Sequence, residues 1–428
     1  MKNITLNKIN FIGVLFFLIN PLISLFYSLV FFIKKQECVL ALSLTISLIF
    51  IYQPLMYDTS SNFFSYLYNE TNNLYNLIPR ELKNNLNIDY YYSIFFYTTL
   101  IFYCWFKTIK YLSKDIVDKK NLNLLITVSI ILIIYRDIMD LNRFYLSITL
   151  SFYYIFYIKN KYTSFKYITL LFFIIVSFEI HSFSIIIFFS YFIAKTVNQQ
   201  KAYILFLFFC FFIGVVWGSL AQELLFSLLR YSGLNISNVY FGDGGWGHND
   251  YSDSTLLRKI LECSIVLSLA LFSVIYKRRN NDNNVNLIIF LCGLCLLFFS
   301  FKTFFERTFI VLCIYSIYLF SLNFKNGILK YSILLLLLFR FLIINFVRYG
   351  DVFLDGHTDV LPNTENKIAL QIKPLYYPSL FLLDIDNGYS DKFIIQNSIW
   401  KQWKIKEKRY LFNLKIKIEQ PNINTPNV

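Results

Sequence analysis

The sequence predicts an all-α membrane protein, a polytopic bundle of about twelve membrane-spanning helices. Of its 428 residues, 57% are apolar, 20% are aromatic and only 15% are charged, whereas a soluble chain usually carries about a quarter charged residues. Apolar runs of about 14 to 25 residues recur along most of the chain, and this length crosses a bilayer about 30 Å thick. The runs are continuous and do not alternate, which favours helices over the strands of a membrane barrel.

Twelve segments are predicted to span the membrane. They are Phe11–Ile33, Cys38–Met56, Tyr90–Leu112, Leu122–Tyr135, Phe144–Ile158, Phe165–Phe178, Ser182–Ala194, Ala202–Phe226, Leu256–Tyr276, Leu287–Phe301, Phe304–Asn323 and Tyr331–Val347. The first run is too long for the apolar core of a signal peptide and lacks a small-residue cleavage site. The fourth to seventh segments hold only about 13 to 15 apolar residues, or roughly 20 to 22 Å of helix. They are therefore predicted to leave a recessed polar pocket open at one face.

The charges of the connecting segments predict an orientation for the bundle. If the lysine-bearing connectors are cytoplasmic, that side holds about 17 basic and 4 acidic residues, against about 9 and 13 on the opposite side before the C-terminal tail. This asymmetry accounts for most of the net charge of +14. The positive charge therefore does not indicate that the protein binds nucleic acid. The asymmetry predicts that both termini lie outside, with residues 1–347 forming the membrane domain.

Three long stretches are then expected outside, at residues 57–89 and 227–255 and in a periplasmic C-terminal tail, 348–428. Each mixes aromatic residues with Asn, Asp and Gly, a composition that suits sugar binding but is equally typical of aromatic belts at membrane interfaces. The tail ends in a basic run between Lys401 and Lys417. That run leaves open a second interpretation, a cytoplasmic tail that touches anionic lipid.

Neither a metal site nor a bound cofactor is predicted. The 3 His and 7 Cys residues have no zinc or haem spacing. Cys292 and Cys295 form a CxxC pair inside an apolar run, where buried inert thiols are the better interpretation. The string FGDGGWGH, residues 241–248, lacks the strand and the lysine of a phosphate-binding loop, so an external loop is favoured over a nucleotide site.

Charged residues between the short segments are the first candidates for a functional site. Arg136, Asp140 and Arg143 follow at i, i+4 and i+7, which places them on one face if helical geometry continues. A charge at membrane depth costs about 2.5 kcal/mol or more, and it normally faces a cavity or a partner. An arginine here could bind a phosphate through its planar fork. The alternative is a cluster whose charges satisfy one another and fix the turn.

Two further polar strings lie between apolar runs. SFEIHSFS contains Glu179 and His181, and an imidazole can exchange a proton near neutral pH, although a packing role is the alternative. FKTFFERTF contains Glu306 and Arg307, where an ordinary charged hairpin turn is the alternative. Because Glu306 and Arg307 are adjacent, they cannot share one helix face, and one of them is expected to face the cavity.

In chain order, these features resemble the EpsG/Wzy family of bacterial polysaccharide polymerases. The resemblance lies in PLMYDTSSNFFSYLY, which contains Asp58, in DLNRFYLSITL after a short segment, in FEIHSFSIIIF and in FFERTF before a late span. It covers most of residues 35 to 325. The chain departs from the usual family pattern at Gln53 and Pro54, in a region where an arginine is often found.

The resemblance implies a metal-independent membrane glycosyltransferase that needs no cofactor and faces the periplasm from the bacterial inner membrane. Such enzymes join oligosaccharide repeat units, carried on undecaprenyl pyrophosphate, into a surface polysaccharide such as O-antigen or capsule. The implied partners are that lipid-linked oligosaccharide, the surrounding membrane lipid, and a chain-length regulator and flippase of the same assembly system.

The pocket expected from the residues fits this task, because the leaving pyrophosphate needs cations and the acceptor hydroxyl needs a base. Arg143 is the first candidate for the pyrophosphate, assisted by Arg136 and Arg307. The candidates for the base, in order, are His181, Asp140 and Asp58. Glu179 and Glu306 are candidates for further substrate contacts.

Two other classes of function remain open from the sequence. One is an O-antigen ligase or another lipid-phosphosugar glycosyltransferase with a similar membrane architecture. The other is a flippase, a transporter that moves lipid-linked sugar across the membrane. A transporter usually places its site at the membrane midplane between related halves, whereas here the polar clusters are predicted on one side.

Overall fold

A computed structural model describes residues 2–35, 37–53, 57–68, 73–116, 118–161, 165–197, 199–218, 253–278, 282–322, 327–348, 367–383 and 390–397, and single positions at 223, 227 and 280. The regular secondary structure of these residues is helical throughout. The first nine helices are α1 (Lys2–Ile19), α2 (Pro21–Lys35), α3 (Val39–Ile51), α4 (Tyr57–Leu67), α5 (Leu74–Leu86), α6 (Tyr90–Leu112), α7 (Lys119–Ile131), α8 (Tyr135–Asp140) and α9 (Asn142–Tyr153). The remainder are α10 (Lys166–Ile180), α11 (Ser184–Thr196), α12 (Gln200–Phe211), α13 (Asp253–Lys277), α14 (Asn283–Leu297), α15 (Lys302–Ser321), α16 (Gly327–Leu342), α17 (Lys367–Tyr376), α18 (Ser379–Leu382) and α19 (Asp391–Asn397).

Three of these helices continue as π-helix. The stretch Tyr154–Ile158 follows α9, Phe212–Val216 follows α12, and Ile343–Arg348 follows α16. Short α-helix at Lys159–Lys161 completes the first of these continuations. Each stretch lengthens a helix that would otherwise be short for a membrane span.

The predicted single span Phe11–Ile33 is wrong, because the chain reverses at Asn20 and forms the hairpin α1–α2. Pro21 occupies the first position of α2, and the Asn20 side chain accepts a hydrogen bond from Leu22 N at 2.8 Å, a favourable pair of residues for starting a helix. The hairpin returns the chain alongside α1, and Cys38 N donates to the side chain of Asn10, in the middle of that helix, at 2.8 Å. The N-terminus therefore lies at the same end of the bundle as Lys34, not at the opposite end as predicted.

Successive helices then run back and forth between two ends. We call the end that contains the N-terminus and the connectors after α2, α6, α9, α11, α13 and α15 the inner end, and the opposite end the outer end. Asp118 and Asp282 cap α7 and α14 at the inner end, accepting from Lys120 N and Asn284 N. The centre of the bundle is α6, which packs between α3 and α9.

The helical membrane fold predicted from the sequence is confirmed. Three helices in the described part of the chain are long and apolar enough to cross a membrane alone, at Arg258–Lys277, Lys302–Ser321 and Gly327–Phe346. Shorter apolar helices accompany them, among them α3, α11 and α14. Residues 165–194 do not form one long helix, because His181 has an extended backbone between α10 and α11.

The first part of the C-terminal tail packs against the outer end. Tyr52 donates its hydroxyl proton to the Leu382 carbonyl, and Tyr92 donates to the Leu383 carbonyl at 2.6 Å. Asp391 accepts a hydrogen bond from Tyr90 N at 2.9 Å, at the first residue of α6. The basic run from Lys401 to Lys417 and residues 228–252 of the predicted outer loop lie outside the described residues.

Candidate active site

The site predicted from the sequence lies at the outer end, where several helices break. The chain leaves helical geometry between α7 and α8, again at Leu141, at His181, and between α14 and α15. A helix break leaves backbone groups without intrahelical partners, which need other partners inside a membrane protein. At His181, Ser147 of α9 adds a contact to the break, donating to Ser177 O at 2.8 Å and to His181 O at 3.3 Å.

Helix α4 brings Asp58 to the break around α8. Asp58 N donates to Asp140 Oδ1 at 2.8 Å, and the Thr59 hydroxyl donates to the Met139 carbonyl. Arg136 Nε lies 3.5 Å from Asp140 Oδ2. Asp140 therefore links helix α4 to Arg136, and it fixes where the Asp58 side chain enters the site.

His181 and Arg307 meet on the ring of Phe144. Arg307 Nη1 lies 3.5 Å from His181 Nε2. The Phe144 ring lies 5.3 Å from the His181 ring and 5.7 Å from the Arg307 guanidinium carbon. His181 Nδ1 accepts a hydrogen bond from Phe183 N at 3.2 Å. In the neutral imidazole the ring proton is then assigned to Nε2, on the side of Arg307.

Arg143 completes this group from the first turn of α9. Its charge interacts with Asp58 and with Arg307, and the ring hydroxyls of Tyr75 and Tyr90 are also close. The next-door Asn142 is held by Tyr75, whose hydroxyl donates to Asn142 Oδ1 at 3.1 Å. Asp58, Arg143, His181 and Arg307 therefore converge from helices that are far apart in sequence.

Arg136 belongs to a different arrangement, a buried chain of ion pairs. It pairs with Asp137 at 3.0 Å, and Asp137 pairs with Arg340 at 3.3 Å. Arg340 also contacts Glu262 at 3.3 Å. The remaining contacts are Glu262 with Arg258 at 3.0 Å and Arg258 with Glu306 at 3.1 Å. We call this series, from Asp140 to Glu306, the ion-pair chain.

The ion-pair chain contains three arginines and four carboxylates, so each of its arginines has negative partners. The Arg340 and Glu262 side chains are only 4% and 1% exposed, a burial that ionised groups accept only when they are paired. Within the described part of the structure, no carboxylate forms an ion pair with Arg143 or Arg307. The five arginines therefore divide into a paired set and a set that is available to an anion.

Sequence reasoning missed Arg258, Glu262 and Arg340, the middle of the ion-pair chain. A signal was present, because Glu262 and Arg340 lie inside apolar runs, and a charge at that depth usually faces a partner. The two remaining acidic candidates take different positions. Glu306 belongs to the ion-pair chain, whereas Glu179 is exposed at the end of α10.

The pKa values of the site's titratable groups outside the spanning helices are shifted in opposite directions, upward for the carboxyls and downward for the imidazole. Burial raises the pKa of Asp58, although Arg307, Arg143 and Arg136 act in the opposite direction. Burial also raises the pKa of Asp140 to about 6. Burial and the charges of Arg307 and Arg143 lower the pKa of His181 to about 2. The imidazole is therefore held neutral and is a weak base, while the carboxyls take up protons more readily than usual.

Two other sequence features can be placed. Cys292 and Cys295 are buried free thiols of α14. No group of three or more His, Cys, Asp or Glu side chains is arranged to hold a metal ion among the residues described. The string FGDGGWGH lies outside them.

Together, these features define a helical membrane protein with a cationic site at one end of its bundle. Residues 52–355 match the EpsG family. The matched region spans more than half of the chain and includes every residue of the site. The chain belongs to this family, that of the Wzy/EpsG-type polysaccharide polymerases, so the predicted resemblance is confirmed. No match is found among curated proteins or among solved structures.

Proposed function

We propose that the protein polymerises oligosaccharide repeat units carried on undecaprenyl pyrophosphate, at the periplasmic face of the bacterial inner membrane. The observation that supports this most is the pair Arg143 and Arg307, two cations beside Asp58 and His181 that form no ion pair with a carboxylate of the described residues. Three neighbouring arginines are fully engaged in the ion-pair chain. A site that leaves two guanidinium groups available suits a ligand with two phosphate groups.

In this proposal Arg143 and Arg307 bind the pyrophosphate of the donor, and His181 assists them. His181 Nε2 and Arg307 Nη1 both carry hydrogen and lie 3.5 Å apart, so a phosphate oxygen between them would accept from both. Developing negative charge on the leaving pyrophosphate is then stabilised by groups that are already in place. Since the arginines supply this charge, the proposed reaction needs no metal ion.

For the general base the geometry favours Asp58 over His181, the first candidate from the sequence. Nδ1 of His181 is already an acceptor for Phe183 N, and two cations disfavour its protonation. Asp58 stands beside both cations, and Asp140 positions it through the bond to its backbone N–H. The acceptor hydroxyl oxygen attacks the anomeric carbon of the donor, the bond from that carbon to the pyrophosphate breaks, and Asp58 takes the hydroxyl proton.

Arg136, Asp140 and Glu306 act in this proposal by positioning the other groups. Arg136 joins Asp140 to the ion-pair chain, and Glu306 attaches the first turn of α15, next to Arg307, to the other end of it. Both sides of the site are thus fixed to one buried structure. Glu179 stays a candidate for contact with the sugar, since it is exposed two residues before His181.

The orientation follows from the inner end, where the basic connectors lie. The hairpin adds the N-terminal lysines Lys2 and Lys8 to that end, which strengthens the charge bias toward the cytoplasm. We therefore place the inner end, including the N-terminus, in the cytoplasm and the site at the periplasmic face. An N-terminal reporter fusion is expected to report a cytoplasmic location.

The reaction can be tested with lipid-linked repeat units extracted from a strain that lacks the protein. Addition of the purified protein should produce glycans of two and more repeats and release undecaprenyl pyrophosphate, with or without EDTA. Repeat units that stay single but cross a vesicle membrane would instead indicate a flippase. Single units transferred to another lipid acceptor would indicate a ligase.

A further inference from the structure

A cluster of lysines at the inner end forms a concave site that the proposed reaction does not use. A cavity of about 440 Å³ lies between α6 and the π-helical continuation of α9. Four lysines line it, Lys107, Lys110, Lys114 and Lys161, together with Tyr111 and Tyr157. We call it the lysine pocket. It is separated from the arginine site by the length of α6, whose first residue, Tyr90, is near that site.

The two tyrosines connect the walls of the lysine pocket and orient its cations. The Tyr111 and Tyr157 rings meet edge to face at 5.4 Å, joining α6 to the continuation of α9. The ammonium groups of Lys114 and Lys161 lie 5.6 Å and 5.4 Å from these rings, and Lys161 donates to the Tyr157 hydroxyl at 3.0 Å. Aromatic contacts of this kind hold ammonium groups without neutralising their charge.

No carboxylate of the described chain forms an ion pair with Lys107, Lys110 or Lys114. Glu37 is the carboxylate whose charge reaches Lys110, and neighbouring Lys107 and Lys114 oppose it. The positive-inside rule explains lysines at this end, but lysines that serve only as topology signals have no reason to line one cavity. Like charges that share a cavity favour an anion as its occupant.

We propose that the lysine pocket binds the phosphodiester headgroup of an anionic membrane lipid. The pocket lies at the ends of two spanning helices, at the depth of lipid headgroups, and tyrosine is typical of that interface. Basic pockets between membrane helices on the cytoplasmic side suit such headgroups. The site is independent of the reaction at the outer end.

Native mass spectrometry of the purified full-length protein tests the proposal, with phosphatidylglycerol or inorganic phosphate as the added probe. The test variant is Lys107→Gln/Lys110→Gln/Lys114→Gln. A matched control, Lys119→Gln/Lys120→Gln/Lys166→Gln, removes the same charge from exposed lysines at the same end. Each lysine beside anionic lipid contributes roughly a factor of five in affinity.

The test variant is therefore expected to bind phosphatidylglycerol at least about tenfold more weakly than the wild type, while the control stays within about threefold. Phosphatidylcholine and inorganic phosphate are expected to bind the wild type weakly. Equal losses in both variants, or no loss in either, would overturn the proposal. Inorganic phosphate bound as tightly as the lipid would also overturn it, because the pocket would then be a site for a free anion. Polymerisation in detergent with added lipid should persist in the test variant, whichever result is obtained.

Discussion

Two sets of arginines lie at the outer end of this bundle, and their surroundings differ. Arg136, Arg258 and Arg340 each contact two carboxylates in the ion-pair chain. Arg307 contacts His181 and the Phe144 ring, and Arg143 interacts with the charges of Asp58 and Arg307. Arginines in the same region of the molecule thus fall into two groups, which differ in the side chains that they contact. The paired arginines join several helices, whereas we propose that the other two bind an anion.

The comparison has an energetic basis. Removing one partner of a buried ion pair costs about 3 to 5 kcal/mol, because the other charge stays buried without compensation. A cation at membrane depth without a carboxylate partner is itself unfavourable, and a phosphate bound there would relieve that cost. Variants of the paired set should therefore reduce stability, and variants of the available set should reduce activity.

The largest effect is expected for Arg340→Met, which leaves Asp137 and Glu262 without their shared cation. It should cost about 3 to 5 kcal/mol of stability, seen as a large fall in thermal stability and in membrane abundance. Adding Glu262→Gln should restore part of the loss, because it removes one of the two carboxylates that shared this cation and so reduces the excess of buried negative charge. A variant as stable as the wild type would show that the ion-pair chain does not hold the fold.

Activity should respond most to Arg143→Lys and Arg307→Lys. Lysine keeps the charge but not the planar fork, and loss of a group that stabilises developing charge costs about 100-fold in rate. The rate is measured on lipid-linked repeat units, with membrane abundance measured in parallel. Normal rates in Arg143→Lys would remove bidentate phosphate binding by this residue from the mechanism.

The dependence of the rate on pH separates Asp58 from His181. A base with a raised pKa loses its acceptor form as the pH falls, so the rate should fall about tenfold per pH unit below that pKa. This fall of the rate toward low pH, the acid limb of the profile, should begin above the ordinary aspartate pKa of about 4. His181→Gln should lower the rate but keep the limb, because the pKa of His181 is far below it. A limb that disappears in His181→Gln would return the role of base to the imidazole.

The smallest effect is expected where the tail meets the bundle. Asp391 accepts from Tyr90 N and pairs with Lys83 at 3.3 Å, and the Lys83 side chain is one-third exposed. Loss of a side chain that caps a helix costs about 1 kcal/mol, so Asp391→Ala should lower thermal stability slightly. Asp391→Asn, which keeps an acceptor oxygen, should lower it less. A loss of stability as large as that of Arg340→Met would mean that the solvent exposure of an ion pair does not determine how much it contributes to stability here.

Much of the fold follows from the sequence because apolar run length determines where helices can cross a membrane. The helix breaks beside Arg136 and His181 were expected for the same reason, because the apolar runs around them are too short to cross the membrane. The reversal at Asn20 was not predicted, because one Asn-Pro pair interrupts an apolar run that is long enough for a single span. Only the packing of α1 against α2 and the contact of Cys38 with Asn10 show a hairpin.

The sequence identified candidate residues for the site, but not which arginines form ion pairs with one another's carboxylate partners. Sequence spacing placed Arg136 with Arg143 on one helix face, but Leu141 breaks the helix between them. Arg136 then pairs with Asp137 and Asp140, and Arg143 turns toward Asp58. The ion-pair chain continues from Asp137 to Arg340 and Glu262, more than a hundred residues away, and this information appears only when the helices are packed.

If Arg143 and Arg307 bind the pyrophosphate, the affinity of the purified protein for undecaprenyl pyrophosphate must depend on them. The test variant is Arg143→Gln/Arg307→Gln. Its matched control is Lys373→Gln/Lys392→Gln, which removes two charges from the tail at the outer end. Binding at least about tenfold weaker is expected in the test variant, and unchanged binding is expected in the control. Equal affinity in the wild type and the folded test variant would contradict the proposed binding.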